Sequence, residues 1–187
     1  MKRATAIALL FLLVSACSTG QETPPSPTEA STTTHGADVG ASATAETMAA
    51  ALRQLVAKDH TFGQGPPPFT EYLILASLDP AAGTASNTGV VRPLTQAEMD
   101  AIEAVIGGFG PVTWIDDSSD FTTDDLTPTI EGAVIIGVGE PIIDGDTALV
   151  PVSLWCGGLC GTWLTYRLDS NAGTWIVTGI EGPRAVS

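Results

Sequence analysis

Apolar residues recur at helical spacing in two stretches of this chain and at every second position across much of its last third. The first stretch carries Met48, Leu52, Leu55 and Val56, the stripe of an amphipathic helix over about Ala45 to Asp59. Thr61-Phe62-Gly63 and then Pro66-Pro67-Pro68 end it. Tyr72 to Leu78 is an apolar run that predicts a buried strand, stopped by Asp79-Pro80. Ala81 to Val91 reads as a loop containing Gly and Asn. The second helical stretch has the sharper boundary. Thr95 is an N-cap, Glu98 completes a capping box, and Leu94 with Met99 suits a hydrophobic staple. Met99, Ile102, Val105 and Ile106 form its stripe. Gly107-Gly108 end it, as glycine does where left-handed backbone is needed.

The remainder reads as strands. Pro111 to Ile115 is a short one, and Ala133 to Val138 is an apolar, β-branched one. Asp144-Gly145 between apolar runs marks a hairpin. Ala148, Val150, Val152, Leu154 and Cys156 then alternate with Leu149, Pro151, Ser153 and Trp155. Pro151 cannot donate to a ladder, so the strand is an edge or bulged there. Trp163 to Leu168 is the next strand, Asp169 to Gly173 a turn, and Thr174 to Ile180 the last strand. These elements predict an α+β domain, with two short helices packed on one face of a curved antiparallel sheet. The specific architecture expected is a cone-shaped sheet of the nuclear-transport-factor-like kind.

The amino-terminal part has a different composition. Ser18 to about Ala43 is Ser, Thr, Pro, Gly and Ala with almost no large apolar residue, so it cannot bury a core and is expected to be a disordered tether. Its average reach is roughly 30 Å. His35 sits in it without a partner and reads as linker. Ahead of the tether, Lys2 and Arg3 precede an apolar run, Ala4 to Val14, that is too short to span a bilayer. Ser15 and Ala16 then precede Cys17. The run Leu13-Val14-Ser15-Ala16-Cys17 resembles the lipobox of bacterial lipoproteins. The resemblance covers the first twenty or so residues. It implies diacylation of the Cys17 sulfur, cleavage between Ala16 and Cys17, and often acylation of the new amino terminus. Acyl burial contributes about 0.8 kcal/mol per methylene, and two or more chains hold stably where one is marginal. The competing reading is an ordinary secretory signal with an incidental cysteine after the cut. The expected organisation is a signal peptide over 1–16, a lipidated linker over 17–43 and one globular domain over 44–187, anchored on the extracytoplasmic side of a membrane in the bacterial cell envelope.

Charge narrows the partners. The chain carries 7 Lys and Arg against 21 Asp and Glu, a formal charge of −14. Lys2 and Arg3 belong to the leader, so the remainder is more acidic still. Such a surface disfavours nucleic acid and adhesion to anionic lipid, which leaves the lipid on Cys17 as the membrane contact. Protein, cell-wall and small-molecule ligands stay open.

Three stretches carry candidate chemistry. Asp116 to Asp125 holds five carboxylates, enough oxygen for Ca²⁺, but it lacks the spacing, turn Gly and closing Glu of an EF-hand loop and is read as a solvated acidic loop, with a calcium site as the alternative. Cys156-Gly157-Gly158-Leu159-Cys160-Gly161 falls between two strands. With Cys17 lipidated, these two cysteines remain in a compartment that permits disulfides. A structural disulfide at a hairpin tip is the expectation, against a zinc site, a thiol oxidoreductase or a binding loop. The Cys-Gly-Gly-Leu-Cys-Gly run and the aromatic strands after it look like segments of exported bacterial proteins to which no activity is attached. That likeness covers about thirty residues. Third, Trp155 and Trp163 flank this tip and Trp175 lies on the neighbouring strand, where they either line a ligand pocket or belong to the core. His60, beside a Gly/Pro-rich turn, is a general base or a satisfied surface or core histidine. No G-x-S-x-G, S-x-x-K, H-E-x-x-H or P-loop pattern occurs. No residue is assigned a catalytic, cofactor-binding or metal role. A binding or interaction module is expected, with a small enzyme using a pocket near His60 and the tryptophans as the alternative.

Overall fold

Where apolar runs are unbroken, both faces of a strand must be covered, and this divides the sheet into two halves. The computed structural model describes residues 35–63 and 65–187. The expected leader, Cys17 and the tether up to residue 34 lie outside the described residues. Seven strands form one unclosed sheet, β1 (Glu71–Leu75), β2 (Val112–Ile115), β3 (Ala133–Val138), β4 (Ile142–Asp144), β5 (Thr147–Gly157), β6 (Cys160–Asn171) and β7 (Thr174–Val186). Their order is β2-β1-β3-β5-β6-β7, with β4 pairing β5. The helices α1 (His35–Ala57) and α2 (Gln96–Ile106) lie on one face, so the class is α+β.

The expectation of an antiparallel sheet holds from β3 to β7 and fails at β1, which pairs in parallel with both β2 and β3. The chain leaves β1, packs α2 on the sheet and returns as β2, a crossover that forces parallel pairing. Parallel strands are covered on both faces. Tyr72, Ile74, Val134 and Ile136 meet the helices, while Leu73, Ile115, Ala133 and Ile135 are buried on the other face against Phe121 and Ile130 of the β2–β3 connection. All six residues of β3 are therefore buried.

The helix-side interior is filled. Met48, Leu52, Leu55 and Val56, the stripe expected of α1, are fully buried against Val150, Val152, Leu164 and Tyr166. α1 starts at His35, ten residues before the expected Ala45 and inside the stretch expected to be a disordered tether up to Ala43, because residues 35–44 carry no apolar periodicity in the sequence to mark a helix. Its carboxyl end is pinned to the sheet. Tyr166 Oη donates to the Asp59 carboxylate at 2.7 Å and Arg184 donates to the Asp59 carbonyl at 3.1 Å. Burial and the Asp59 contact both push the Tyr166 phenol up.

The capping box of α2 forms as expected, with Thr95 and Glu98 exchanging hydrogen bonds. The helix ends differently, because Gly107 is right-handed at φ −57° and Phe109 N–H bonds back to Ile106 at 2.8 Å, a tightened last turn. Glu98 is 3 % exposed and is gripped by both terminal nitrogens of Arg92, at 2.8 and 2.9 Å. Burial raises its carboxyl, but the bonds from Arg92 and the Thr95 N–H outweigh it and hold the group below its usual range. Its folded pKa is thus below its unfolded one. The stabilisation is complete above the ordinary Glu value of about 4.3 and is lost as pH falls through the lower, folded value. Glu98→Gln is expected to lose about 2 kcal/mol at neutral pH. Its denaturant midpoint should then fall less than the wild-type midpoint between about pH 7 and pH 3, measured by urea titration.

Pro151 is accommodated by a change of partner. β5 pairs with β4 up to Leu149 and with β3 from Val152 onward. The Pro151 carbonyl accepts from Gly139 at 2.9 Å across this junction. A strand residue's N–H and C=O point to the same side, so the missing donor falls in the gap between β3 and β4. Strand β7 runs past the expected Ile180 to Val186, through Gly182-Pro183, which the sheet's edge tolerates.

Candidate functional site

The hairpin between β5 and β6 turns through Gly158-Leu159, with Gly157 opposite Cys160 and a register shift at Cys156. Cys156 and Cys160 form a disulfide across this tip, their Cα atoms 5.1 Å apart. That separation is within the range a disulfide spans. Thr61 Oγ1 lies 3.3 Å from the Cys160 sulfur, so the segment after α1 rests on the tip. Leu159 is 95 % exposed. The ring closed by the bridge is small, and the chain-entropy contribution is about 2 kcal/mol. Protein isolated without reductant is expected to show no reactive thiol at these cysteines until denatured and reduced. Reduction alone should lower Tm by roughly 4–8 °C with the fold retained, read by thermal melts and alkylation mass.

Near the tip lies an apolar cleft of about 550 Å³ lined by Phe62, Pro68, Phe69, Pro128, Ile130 and Cys156. His60 lies behind Phe62 and Phe69 and is 4 % exposed. Its Nδ1 accepts from the Phe62 N–H at 3.4 Å, so Nε2 carries the proton and donates to the Gly65 carbonyl at 3.3 Å. Both nitrogens hold their own loop together. His60 therefore sits as a satisfied core histidine and faces no substrate space. Glu131 is the one ionisable group lining this cleft, which offers shape without converging chemistry.

The sheet face opposite the helices carries a more chemical site. A cleft of about 250 Å³ opens between the ends of β1 and β3, the middle of β5 and β6, and the loops after β1 and β2. Its floor is built by Asp79, in the loop after β1, which ends at Leu75 and not at the expected Leu78. The Asp79 N–H donates to Val138 at 2.8 Å, and one carboxylate oxygen accepts from the Ala81 N–H at 2.8 Å. The other accepts from the Ser153 hydroxyl. The carboxylate lies against Gly137 of β3, where a Cβ would come 2.5 Å from its oxygen and 2.6 Å from Ser153 Oγ. Glycine inside a strand marks such a close approach. Trp163 is directly opposite Ser153 in the ladder, and Trp155 is two residues further along β5 on the same face. Gly161, opposite Trp155, leaves room for the Trp163 ring to lie across it. Asn87, Ser118 and Thr122 complete the rim.

Two of the three tryptophans singled out in the sequence thus share a site. Trp175 is on the helix side, packed beside Ala50 and Arg53 of α1. Asp79, Ser153 and Gly137 were not singled out, although a glycine within the apolar run Ala133 to Val138 was a readable signal. In the acidic segment, Asp117 accepts from the Ser119 N–H at 2.8 Å and caps the short 3₁₀ turn Ser118–Phe121, which holds its carboxyl below the usual range. Among the described residues no three His, Cys, Asp or Glu side chains converge as metal ligands. Comparison with protein-family models, curated proteins and solved structures finds no significant match to this chain.

Proposed function

We propose that the chain is a lipid-anchored protein of the bacterial cell envelope, held on the extracytoplasmic side of a membrane through Cys17, whose domain is a binding module. The run Leu13-Val14-Ser15-Ala16-Cys17 carries the location. The tether after it would hold the domain off an anionic surface that its charge of −14 opposes. The binding role is supported by where the space lies. The helix side is filled by side chains such as Leu52, Val152 and Tyr166, and the polar cleft opens outward at half-buried Trp155 and Trp163. A ligand reaches it without a change in the core, and a small molecule or cell-wall fragment fits its size better than a protein surface does.

A second reading, a small enzyme, draws on one observation, the Asp79 carboxylate beside Trp155 and Trp163. It gains nothing from His60, whose nitrogens are both engaged in its own loop. The test of the anchor is the mass of the amino-terminal peptide of membrane-fraction protein. A diacylated peptide beginning at Cys17 is expected. An unlipidated peptide with any other start overturns the proposal.

A further inference from the structure

We propose that the cleft holding Asp79, Ser153, Trp155 and Trp163 is a saccharide site that takes one neutral sugar ring of a cell-envelope glycan or a free sugar. The inference rests on the binding-module reading and supplies its ligand class.

A sugar ring presents two kinds of surface. Its axial C–H groups form apolar patches, and its hydroxyls form a belt of donors and acceptors around the edge. The cleft matches both. Trp155 and Trp163 are half-buried on one face of adjacent strands, so each keeps indole surface toward the opening. An indole offers a flat apolar face and a single donor. At the floor, the Asp79 carboxylate is fixed by the Ala81 N–H and the Ser153 hydroxyl. An ionised carboxylate has about four lone-pair sites. Two are taken, and the others can accept from ligand hydroxyls. Bonds to an ionised acceptor are the strong ones. Asn87 and Ser118 add groups that both donate and accept at the rim.

The other ligand classes fit less well. A phosphate or acidic sugar meets a carboxylate with no Lys or Arg among the lining residues, in a chain of formal charge −14. A purely apolar ligand would cover the remaining Asp79 lone pairs and offer them no donor. A divalent cation finds one carboxylate where several oxygens are needed. The volume, about 250 Å³, suits one ring rather than an extended chain.

The arrangement is also prepared before binding. Gly137 makes room for the carboxylate, and Gly161 lets Trp163 lie down beside Trp155. At Gly161 a Cβ would meet side-chain atoms only, Trp163 Cη2 at 2.6 Å and Cζ3 at 2.8 Å, at the far end of the ring, and Ser187 Oγ at 2.8 Å. Gly161→Ala therefore moves the indole and leaves the ladder in place.

The experiment titrates the whole mature protein with glucose, galactose, mannose, N-acetylglucosamine and their short oligomers, following tryptophan emission and the heat of binding. At least one sugar is expected to bind saturably. Trp155→Ala and Asp79→Asn should each weaken it by about tenfold or more. Asp79→Asn keeps an acceptor for the Ala81 N–H and so preserves the turn. Gly161→Ala should weaken binding with the circular dichroism spectrum unchanged, and Trp175→Phe, on the helix side, should leave affinity as it was.

Failure to bind any of these sugars by the folded wild-type protein overturns the inference. So does binding that is indifferent to Trp155→Ala and Asp79→Asn. None of these results touches the anchored-module reading at the membrane. Cleavage of a bound oligomer, seen by mass, would retain the saccharide site and overturn the non-enzymatic reading.

Discussion

Cys17→Ser is expected to remove the mature protein from the membrane fraction, at least about tenfold. Serine has no sulfur to carry the diacylglycerol thioether, and each methylene of a buried acyl chain contributes about 0.8 kcal/mol. Nothing described elsewhere in the chain replaces that contact. No described helix is long and apolar enough to cross a membrane. The formal charge of −14 opposes adhesion to anionic headgroups. If the proposed leader over 1–16 stays uncut, its apolar run Ala4 to Val14 would also hold the variant at the membrane. Fractionation must therefore be combined with intact mass. Any Cys17→Ser protein left in the membrane should carry the leader. A cleaved variant that stays membrane-bound would rule out the lipid anchor.

Gly137→Ala is expected to destabilise the domain by about 3 kcal/mol, a fall in Tm of roughly 6–12 °C. The added methyl would lie 2.5 Å from the Asp79 carboxylate and 2.6 Å from both Asp79 Cβ and Ser153 Oγ. The Asp79 side chain cannot swing clear. Its backbone is tied to Val138, and Ala81 N–H and Ser153 hold its oxygens. Overpacking a buried strand then moves backbone or breaks those bonds, leaving a carboxylate short of partners. Gly179→Ala is the control. A Cβ there meets nothing within 4 Å and the backbone is not left-handed, so its stability should change by less than about 0.5 kcal/mol. Urea titrations of the two variants give the comparison. Equal midpoints would show that the contact at Gly137 relaxes at little cost.

Local signals in the sequence were read well, and their range explains why. The α2 capping box joins residues three apart, so Thr95 and Glu98 suffice to place it. The meander from β5 to β7 is written in a period of two and in turn chemistry, and Val150, Val152, Leu164 and Tyr166 are buried as their alternation requires. The Cys156–Cys160 bridge follows from a short spacing at a hairpin tip. The start of α1 and the far end of β7 were missed for the converse reason. Residues 35–44 present no apolar stripe, and Gly182-Pro183 has the composition of a strand end although an edge strand accepts it.

Only the tertiary structure decided the rest. The runs in β1 and β3 are apolar throughout, and a run without alternation carries no information on direction or partner. Their parallel pairing depends on α2 covering one face and the β2–β3 connection covering the other. The candidate site depends on that pairing. Asp79 and Ser153 are 74 residues apart, and Gly137 comes from a third strand. Each has a plain local reading, as a strand stop, an outward serine and a glycine in a run. They become a site when β3 aligns Gly137 with Ser153 and the loop after β1 delivers Asp79 over them. The chain's own patterning determined which residues are buried and where it turns, because burial and turns are governed by neighbours in sequence. Which polar groups meet was settled by strand order, because that meeting is governed by neighbours in space.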